Sequence, residues 1–165
     1  MCGIVGAIAQ RNVSQILLEG LSRLEYRGYD SAGICCINNQ ELRCIKTTGK
    51  VKNLKEAVKE QGCPGFIGIA HTRWATHGVP SETNAHPHIC GNLALVHNGI
   101  IENFAELKSQ LIEKGYEFKS QTDTEVLVCL IHYHLQTSAN LLEAFKIALN
   151  EVKGSFGLAL IDKND

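Results

Sequence analysis

The sequence predicts an α+β fold, in which strands and helices are grouped rather than strictly alternating. Short apolar runs typical of strands are interspersed with amphipathic segments, and strands or helices often follow each other directly along the chain. Of the 165 residues, 44% are hydrophobic and 20% are charged, which is ordinary for a globular domain. These observations predict a single domain that spans residues 1–165 and has a packed core, and they argue against disorder.

The first 72 residues predict four strands and two helices. Apolar residues recur at helical spacing between residues 13 and 24, whereas the predicted strands are short apolar runs. Asn38-Asn39-Gln40 is rich in turn formers and predicts a hairpin between the second and third strands. In order, these elements are the strand Cys2–Ala9, the helix Val13–Tyr26, the strands Ser31–Ile37 and Leu42–Thr47, the helix Leu54–Gln61 and the strand Phe66–Thr72.

A long loop from Arg73 to Asn92 separates these elements from the second half. It has little periodicity, and loops of this length in compact domains are uncommon and often functional. Gly115 is expected to end a helix, and Thr122-Asp123-Thr124-Glu125 matches a capping box that begins another. The remaining predicted elements are the strand Leu93–His97, the helices Asn103–Lys114, Thr122–Gln136 and Leu141–Val152, and the strand Phe156–Ile161.

Charge and composition exclude several kinds of partner. The net charge is −1, so no basic surplus exists to neutralise a run of phosphates, and nucleic acid is not expected to bind. No apolar run approaches the roughly 20 residues needed to span a bilayer, and no signal peptide is recognised. The seven cysteines form an odd set without a C-x-x-C pair, which favours a reducing cytoplasm over a secreted disulfide framework.

Cys2 is the first candidate for a catalytic residue, because it directly follows Met1. Removal of Met1 would leave it with a thiol of reference pKa about 8.5 and a free α-amine of about 7.7–8.0. The amine could accept the thiol proton and later give it to a leaving group, as in N-terminal nucleophiles. Its position alone is more typical of a buried cysteine without a catalytic role.

The start of the long loop carries side chains suited to binding a substrate. Arg73 offers a planar donor fork that matches a carboxylate, and Trp74 is large and stiff enough to cover a pocket. Thr76 and His77 add a hydroxyl and an imidazole. A surface arginine beside a half-buried tryptophan is the alternative interpretation.

Two later positions complete the candidates. Asn98 and Gly99 follow a predicted strand and could offer a side-chain amide and a backbone N–H to an oxyanion, although Asn-Gly is also a common turn. Asp123 is expected at the first position of a helix, where it could hold an ammonium group or simply complement the helix dipole.

Two histidine pairs suggest metal binding, which the spacing does not favour. His86 and His88 lie near Cys90, but a second ligand pair at finger-like spacing is missing. His132 and His134 are two residues apart on a predicted helix, so they do not share a face. No metal site is therefore predicted.

Taken together, the motifs carry a family resemblance over Cys2 to about Ile161. The strings that carry it are Cys2–Gly6, Leu24–Gly33, His71–Gly78, Asn84–His88, Val96–Asn103 and Thr122–Glu125, in that order. The chain resembles the glutaminase domain of the glutamine–fructose-6-phosphate aminotransferase family. This is a class II glutamine amidotransferase domain with an N-terminal nucleophile.

The resemblance implies a four-layer αββα sandwich of largely antiparallel sheets and hydrolysis of L-glutamine to glutamate and ammonia, without a cofactor. It implies a Cys2 thioester, with the Cys2 α-amine as base. Asn98 and Gly99 would form the oxyanion hole. The implied glutamine-binding residues are Arg73 for the α-carboxylate, Asp123 for the α-ammonium, Thr76 and His77 as lining, Trp74 in a closing loop and Arg27 in positioning.

The resemblance also sets expectations about the rest of the protein. The full enzymes carry a sugar-phosphate isomerase portion, in which fructose 6-phosphate receives the ammonia. The resemblance is also compatible with a homo-oligomer of the full-length enzyme. Residues 1–165 are expected to be a C-terminally incomplete glutaminase domain without that portion. A retained Met1 would block the amine of Cys2, so a non-catalytic glutamine-binding module is the alternative.

Overall fold

Four layers, helices outside and two sheets inside, form the computed structural model, which describes residues 2–75 and 78–164. Within these residues it contains seven strands, five α-helices and a short 3₁₀ turn at Glu25–Arg27. The strands are β1 Gly3–Ile8, β2 Ser31–Asn38, β3 Glu41–Thr48, β4 Ile67–Arg73, β5 His88–Cys90, β6 Leu93–Ile101 and β7 Gly154–Asp162. The helices are α1 Ser14–Leu24, α2 Val51–Gln61, α3 Phe104–Glu113, α4 Asp123–Leu135 and α5 Leu141–Glu151.

Both sheets are antiparallel. The first has the strand order β1-β4-β2-β3, and the second has the order β5-β6-β7. Among the described residues β7 pairs with β6 alone, so its other edge is unpaired there. The prediction of an α+β fold with largely antiparallel sheets is confirmed.

Three separate apolar clusters hold the four layers together. Side chains such as Leu17 and Ile34 pack helices α1 and α2 on the first sheet, and Leu95 and Leu127 belong to the cluster that packs α3, α4 and α5 on the second. A smaller cluster, which includes Cys35 of β2, lies between the sheets. Because neighbours in a strand face opposite sides, Ile34 and Cys35 serve two different clusters. This alternation produces the αββα sandwich.

Several local predictions are corrected by the pairing of strands. β1 is an edge strand within the described sheet and has one buried residue among its six, and the three-residue strand β5 lies inside the predicted loop. β6 continues through Asn98 and Gly99 to Ile101, because it pairs with β7 along its whole length. The two residues are therefore strand residues rather than an Asn-Gly turn.

The helix ends follow the sequence signals with one exception. Gly115 has a φ of 89° and ends α3 as predicted, and the Thr122 hydroxyl accepts a hydrogen bond from the Glu125 N–H. The Glu125 carboxylate, however, does not complete the capping box, since it accepts from the backbone N–H groups of Lys119 and Ser120. None of the described helices is long and apolar enough to cross a membrane.

Candidate active site

All predicted site residues that the structure describes line one cavity of about 880 Å³. Thr76 and His77 lie outside the described residues, so their predicted roles stay predictions. The predicted residues in the cavity are Cys2, Arg27, Arg73, Trp74, Asn98, Gly99 and Asp123. Six further residues line the cavity without a distinct signal for this site in the sequence: His86, His97, Ile100, Thr122, Thr124 and Ser155.

Antiparallel pairing of β1 with β4 places the candidate nucleophile. Gly3 lies opposite Thr72, so Cys2, just before β1, reaches the end of β4 where Arg73 and Trp74 begin the loop. The Gly3 N–H donates to the Thr72 hydroxyl at 3.1 Å, which ties the two strand ends together. The cavity therefore begins where the pairing of Gly3 with Thr72 brings the start of β1 next to the end of β4.

The Cys2 thiol is held against the backbone of Trp74. The Trp74 N–H donates to Cys2 Sγ at 3.1 Å, and the thiol lies 3.6 Å from the Trp74 carbonyl oxygen. A backbone N–H aimed at sulfur is favourable for the negative charge that sulfur carries when it attacks a substrate. The two contacts with the Trp74 backbone therefore hold the thiol in the cavity, and the N–H can stabilise charge on the sulfur.

The second sheet supplies the candidate oxyanion hole. The Asn98 side-chain Nδ2 donates to the Cys2 carbonyl oxygen at 3.2 Å, so the amide lies beside the nucleophile. Gly99 has a φ of 135°, and a Cβ built there would lie 2.0 Å from the Ser155 carbonyl oxygen of β7. Only glycine therefore fits this position of β6.

Arg73 supplies a positive charge at the cavity. Its guanidinium is buried and lies 3.9 Å from the Asp30 carboxylate. Burial lowers the pKa of Arg73, while the carboxylates of Asp30 and Asp123 act in the opposite direction. Because arginine stays protonated in proteins, the cavity keeps a fixed cation.

Asp123 supplies the matching negative charge from the second sheet's helix layer. The residue is only 4% exposed, and one carboxylate oxygen accepts a hydrogen bond from the Ile101 N–H at 2.9 Å. Asp123 is the first residue of α4, where the helix dipole favours an anion. The hydrogen bond to the end of β6 fixes the carboxylate at the wall of the cavity.

Trp74 and Arg27 form one side of the cavity mouth. A Cβ built on Gly28, which has a φ of 75°, would lie 2.3 Å from Trp74 Cζ3, so the indole rests directly on the Gly28 backbone. More than half of the Trp74 surface is exposed. The tryptophan therefore lies on the surface, packed over Gly28 and next to Arg27, and is not part of a core.

His86 and His88 form hydrogen bonds with protein groups and do not share a metal-binding geometry. His86 Nε2 lies 2.7 Å from the Thr124 hydroxyl, and His88 Nε2 lies 3.0 Å from the Thr122 hydroxyl. Burial lowers the pKa values of both imidazoles well below the ordinary value. Across residues 2–75 and 78–164, no group of three or more His, Cys, Asp or Glu side chains is arranged to hold a metal ion.

The sequence matches a known protein family, and the match agrees with the geometry of the cavity. Residues 71–165 match the model of a family described as glutamine amidotransferase domain. The chain belongs to this glutamine amidotransferase family. The matched segment contains Arg73, Asn98, Gly99 and Asp123, and Cys2 lies before it.

Relatives of known name match almost the whole chain. It is 58% identical over 163 residues to glutamine–fructose-6-phosphate aminotransferase [isomerizing] of Haemophilus influenzae, covering 98% of this chain and 27% of the relative. The protein of the same name from Legionella pneumophila (strain Paris) is 59% identical over 163 residues, with the same coverage. This glutamine amidotransferase chain thus spans 27% of the length of these relatives.

Solved structures of amidotransferases share the fold. Glutamine phosphoribosylpyrophosphate amidotransferase from B. subtilis superimposes with a TM-score of 0.82 at 29% identity, covering 99% of this chain and 35% of that one. The allosteric regulatory enzyme of purine biosynthesis superimposes with a TM-score of 0.83, also at 29% identity, over 99% of this chain and 36% of that one. The sandwich inferred from the family resemblance is therefore confirmed.

Proposed function

We propose that the chain hydrolyses L-glutamine to glutamate and ammonia, with Cys2 as the nucleophile. The observation that carries this proposal is the meeting of three features in one cavity: the Cys2 thiol, the Asn98 amide beside it, and the opposite charges of Arg73 and Asp123. A thiol with an adjacent amide donor suits acyl transfer, because the donor can stabilise the oxyanion. The two charges suit the zwitterionic end of an amino acid.

Glutamine would bind with its charged end between the two fixed charges. Arg73 would hold the α-carboxylate through its planar fork, and Asp123 would accept hydrogen bonds from the α-ammonium. Trp74 and Arg27 would close the mouth over the substrate, with Thr76 and His77 as further lining. This orientation directs the side-chain amide of glutamine toward Cys2.

The reaction would proceed through a thioester. After removal of Met1, the α-amine of Cys2 takes the thiol proton while sulfur attacks the amide carbon, and the oxyanion is held by Asn98 and the Gly99 N–H. The amine returns the proton to nitrogen, ammonia leaves, and a thioester remains. Water then attacks the thioester, which releases glutamate and restores the thiol.

The longer relatives suggest how the ammonia is used. We infer that residues 1–165 act as the glutaminase domain of a longer aminotransferase of the same kind. In that protein, fructose 6-phosphate would accept the nitrogen at a separate isomerase portion, which yields glucosamine 6-phosphate. The expected setting is the cytoplasm. The reaction as written needs no metal or other cofactor.

A non-catalytic glutamine-binding module is the weaker interpretation. Binding alone would use Arg73 and Asp123, but it would not require a thiol beside an amide donor. The Trp74 N–H aimed at Cys2 Sγ and the Asn98 amide beside the Cys2 carbonyl favour a catalytic arrangement.

Processing of the N-terminus provides the test of this function. We expect intact mass to show loss of one methionine, and we expect this processed chain to release glutamate and ammonia in equal amounts from glutamine. A chain that retains Met1 should be inactive, because its Cys2 nitrogen is an amide and cannot act as a base. Glutamate release by chains that keep Met1 would contradict the mechanism, and an inactive processed chain would contradict the function.

Replacement of Asp123 by asparagine should weaken glutamine binding. Asparagine keeps an oxygen for the Ile101 N–H, so the local fold should persist, but the charge partner of the α-ammonium is lost. Hydrogen bonds to charged groups contribute about 1.5–3 kcal/mol, so kcat/KM should fall about 10- to 100-fold, chiefly through KM. Steady-state kinetics of glutamate release would measure this. Asp162→Asn, at the end of β7 and outside the cavity, is the matched control and should behave like the parent.

A further inference from the structure

We propose that His71 is a positioning residue that sets the orientation of the Asn98 amide toward Cys2, a role that rests on the proposed glutaminase function. His71 lies in β4, whereas Asn98 lies in β6 of the other sheet. Its side chain does not line the cavity. It would therefore act on the reaction through Asn98 and without touching substrate.

The contacts of His71 define which of its nitrogens carries hydrogen. Nε2 lies 2.7 Å from Asn98 Oδ1 and 3.1 Å from the His97 carbonyl oxygen, and both partners are acceptors. Nε2 must therefore be the donor. His71 Nδ1 is buried without a hydrogen-bond partner among the described residues, where a bare nitrogen is less costly than an unsatisfied N–H.

The protonation state of His71 agrees with this assignment. The side chain is fully buried, and desolvation lowers its pKa to about 4. At neutral pH the ring is therefore uncharged, with its one hydrogen on Nε2. The ring also stacks on His86 at a centroid separation of 4.2 Å, which fixes its plane.

A donor at this point permits only one orientation of the Asn98 amide. With Oδ1 toward His71, Nδ2 faces the Cys2 carbonyl oxygen at 3.2 Å. The flipped amide would place N–H against the Nε2–H of His71 and would bring Oδ1 against the Cys2 oxygen. Both contacts are repulsive, so His71 keeps the donor side of Asn98 on the nucleophile's side of the cavity.

The contact also joins the two halves of the site. Cys2 and Arg73 come from the first sheet, and Asn98 and Asp123 come from the second sheet and its helix layer. The His71–Asn98 hydrogen bond crosses directly between β4 and β6. It can therefore fix the distance between the nucleophile and the oxyanion hole. Catalytic groups must be held within about 0.5 Å of the productive geometry, so this distance matters for the reaction.

The test compares two substitutions of His71 in the processed chain. His71→Phe removes the donor, and we expect kcat for glutamate release to fall about 10-fold while KM for glutamine stays within about 2-fold. His71→Gln retains an N–H donor and should recover most of kcat. Alkylation of Cys2 by iodoacetamide, which does not use the oxyanion hole, should proceed at the parent rate in both variants. His132→Phe, a histidine outside the cavity, is the matched control and should leave kcat unchanged.

A double-mutant cycle separates positioning from a merely structural role. In an Asn98→Ala background, where no amide remains to be oriented, His71→Phe should cause no further loss of kcat. Equal losses in both backgrounds, or an unchanged kcat in the single variant, would overturn the proposal. If His71→Phe fails to fold in thermal unfolding, His71→Gln against His71→Leu gives the same comparison.

The two levels of the proposal fail in different ways. Full activity of Asn98→Ala would remove the oxyanion hole from the proposed function, and with it the reason for His71. A large loss in Asn98→Ala together with parent activity in His71→Phe would overturn the positioning role alone.

Discussion

Replacement of Cys2 by alanine should reduce glutamate release from glutamine by at least about 10³-fold, because the proposed thioester cannot form without the sulfur. The cavity walls should be unaffected, since Arg73 and Asp123 are held by other contacts with Asp30 and Ile101. Glutamine should therefore still bind. Coupled assay of glutamate and calorimetry of glutamine binding would measure the two properties separately.

The other cysteines provide the control for this experiment. Cys35, Cys36, Cys63 and Cys129 are buried, and Cys44 and Cys90 are half-buried outside the cavity. Cys90→Ala should therefore keep the parent activity. A glutamine-like electrophile should label the parent and Cys90→Ala once, at Cys2, and should not label Cys2→Ala. Parent-level glutamate release by Cys2→Ala would show that the nucleophile has been assigned wrongly.

The separation of the site residues along the chain explains how much of the site the sequence could predict. Each of the residues Cys2, Arg73, Asn98 and Asp123 is ambiguous when considered alone, and only their order within the family's motifs indicates a shared site. Their convergence depends on the antiparallel register of β1 with β4 and on the layer packing of the second sheet. No local pattern encodes these long-range pairings.

Strand pairing and competing hydrogen bonds explain the main errors of the fold prediction. Asn98-Gly99 has the local preference of a turn, but nine pairs between β6 and β7 override it. Glu125 has the spacing of a capping box, but two backbone N–H groups just upstream compete for its carboxylate. By contrast, the hairpin between β2 and β3 is set locally, since Asn39 and Gln40 adopt positive φ values of 49° and 60°.

The histidines show a further limit of reasoning from spacing. The spacing of His86 and His88 to Cys90 suggests a metal site, yet each imidazole contacts a threonine hydroxyl at the start of α4. These hydroxyls belong to residues 38 and 34 positions further along the chain. Nothing near the histidines in sequence indicates that partner, although both belong to strings that carry the family resemblance.

Replacement of Asn98 tests the second half of the chemistry. Loss of one oxyanion-hole donor costs about 10²–10³-fold in kcat in acyl-transfer enzymes, and we expect Asn98→Ala to fall in this range with little change in KM. The reason for the split is that the amide donates to an oxygen that becomes charged only in the transition state, so substrate binding does not depend on it. Steady-state kinetics of glutamate release would measure both parameters.

Asn98→Asp makes this test sharper, because it preserves shape and keeps an oxygen for the His71 N–H while replacing the amide donor with a carboxylate. Its negative charge would oppose the oxyanion, so its kcat should be at least as low as that of Asn98→Ala. Asn53→Ala, on the exposed side of α2 and outside the cavity, should retain the parent kcat. If the two Asn98 variants changed KM and left kcat intact, the amide would be a binding group, and the oxyanion would have to be stabilised by backbone N–H groups instead.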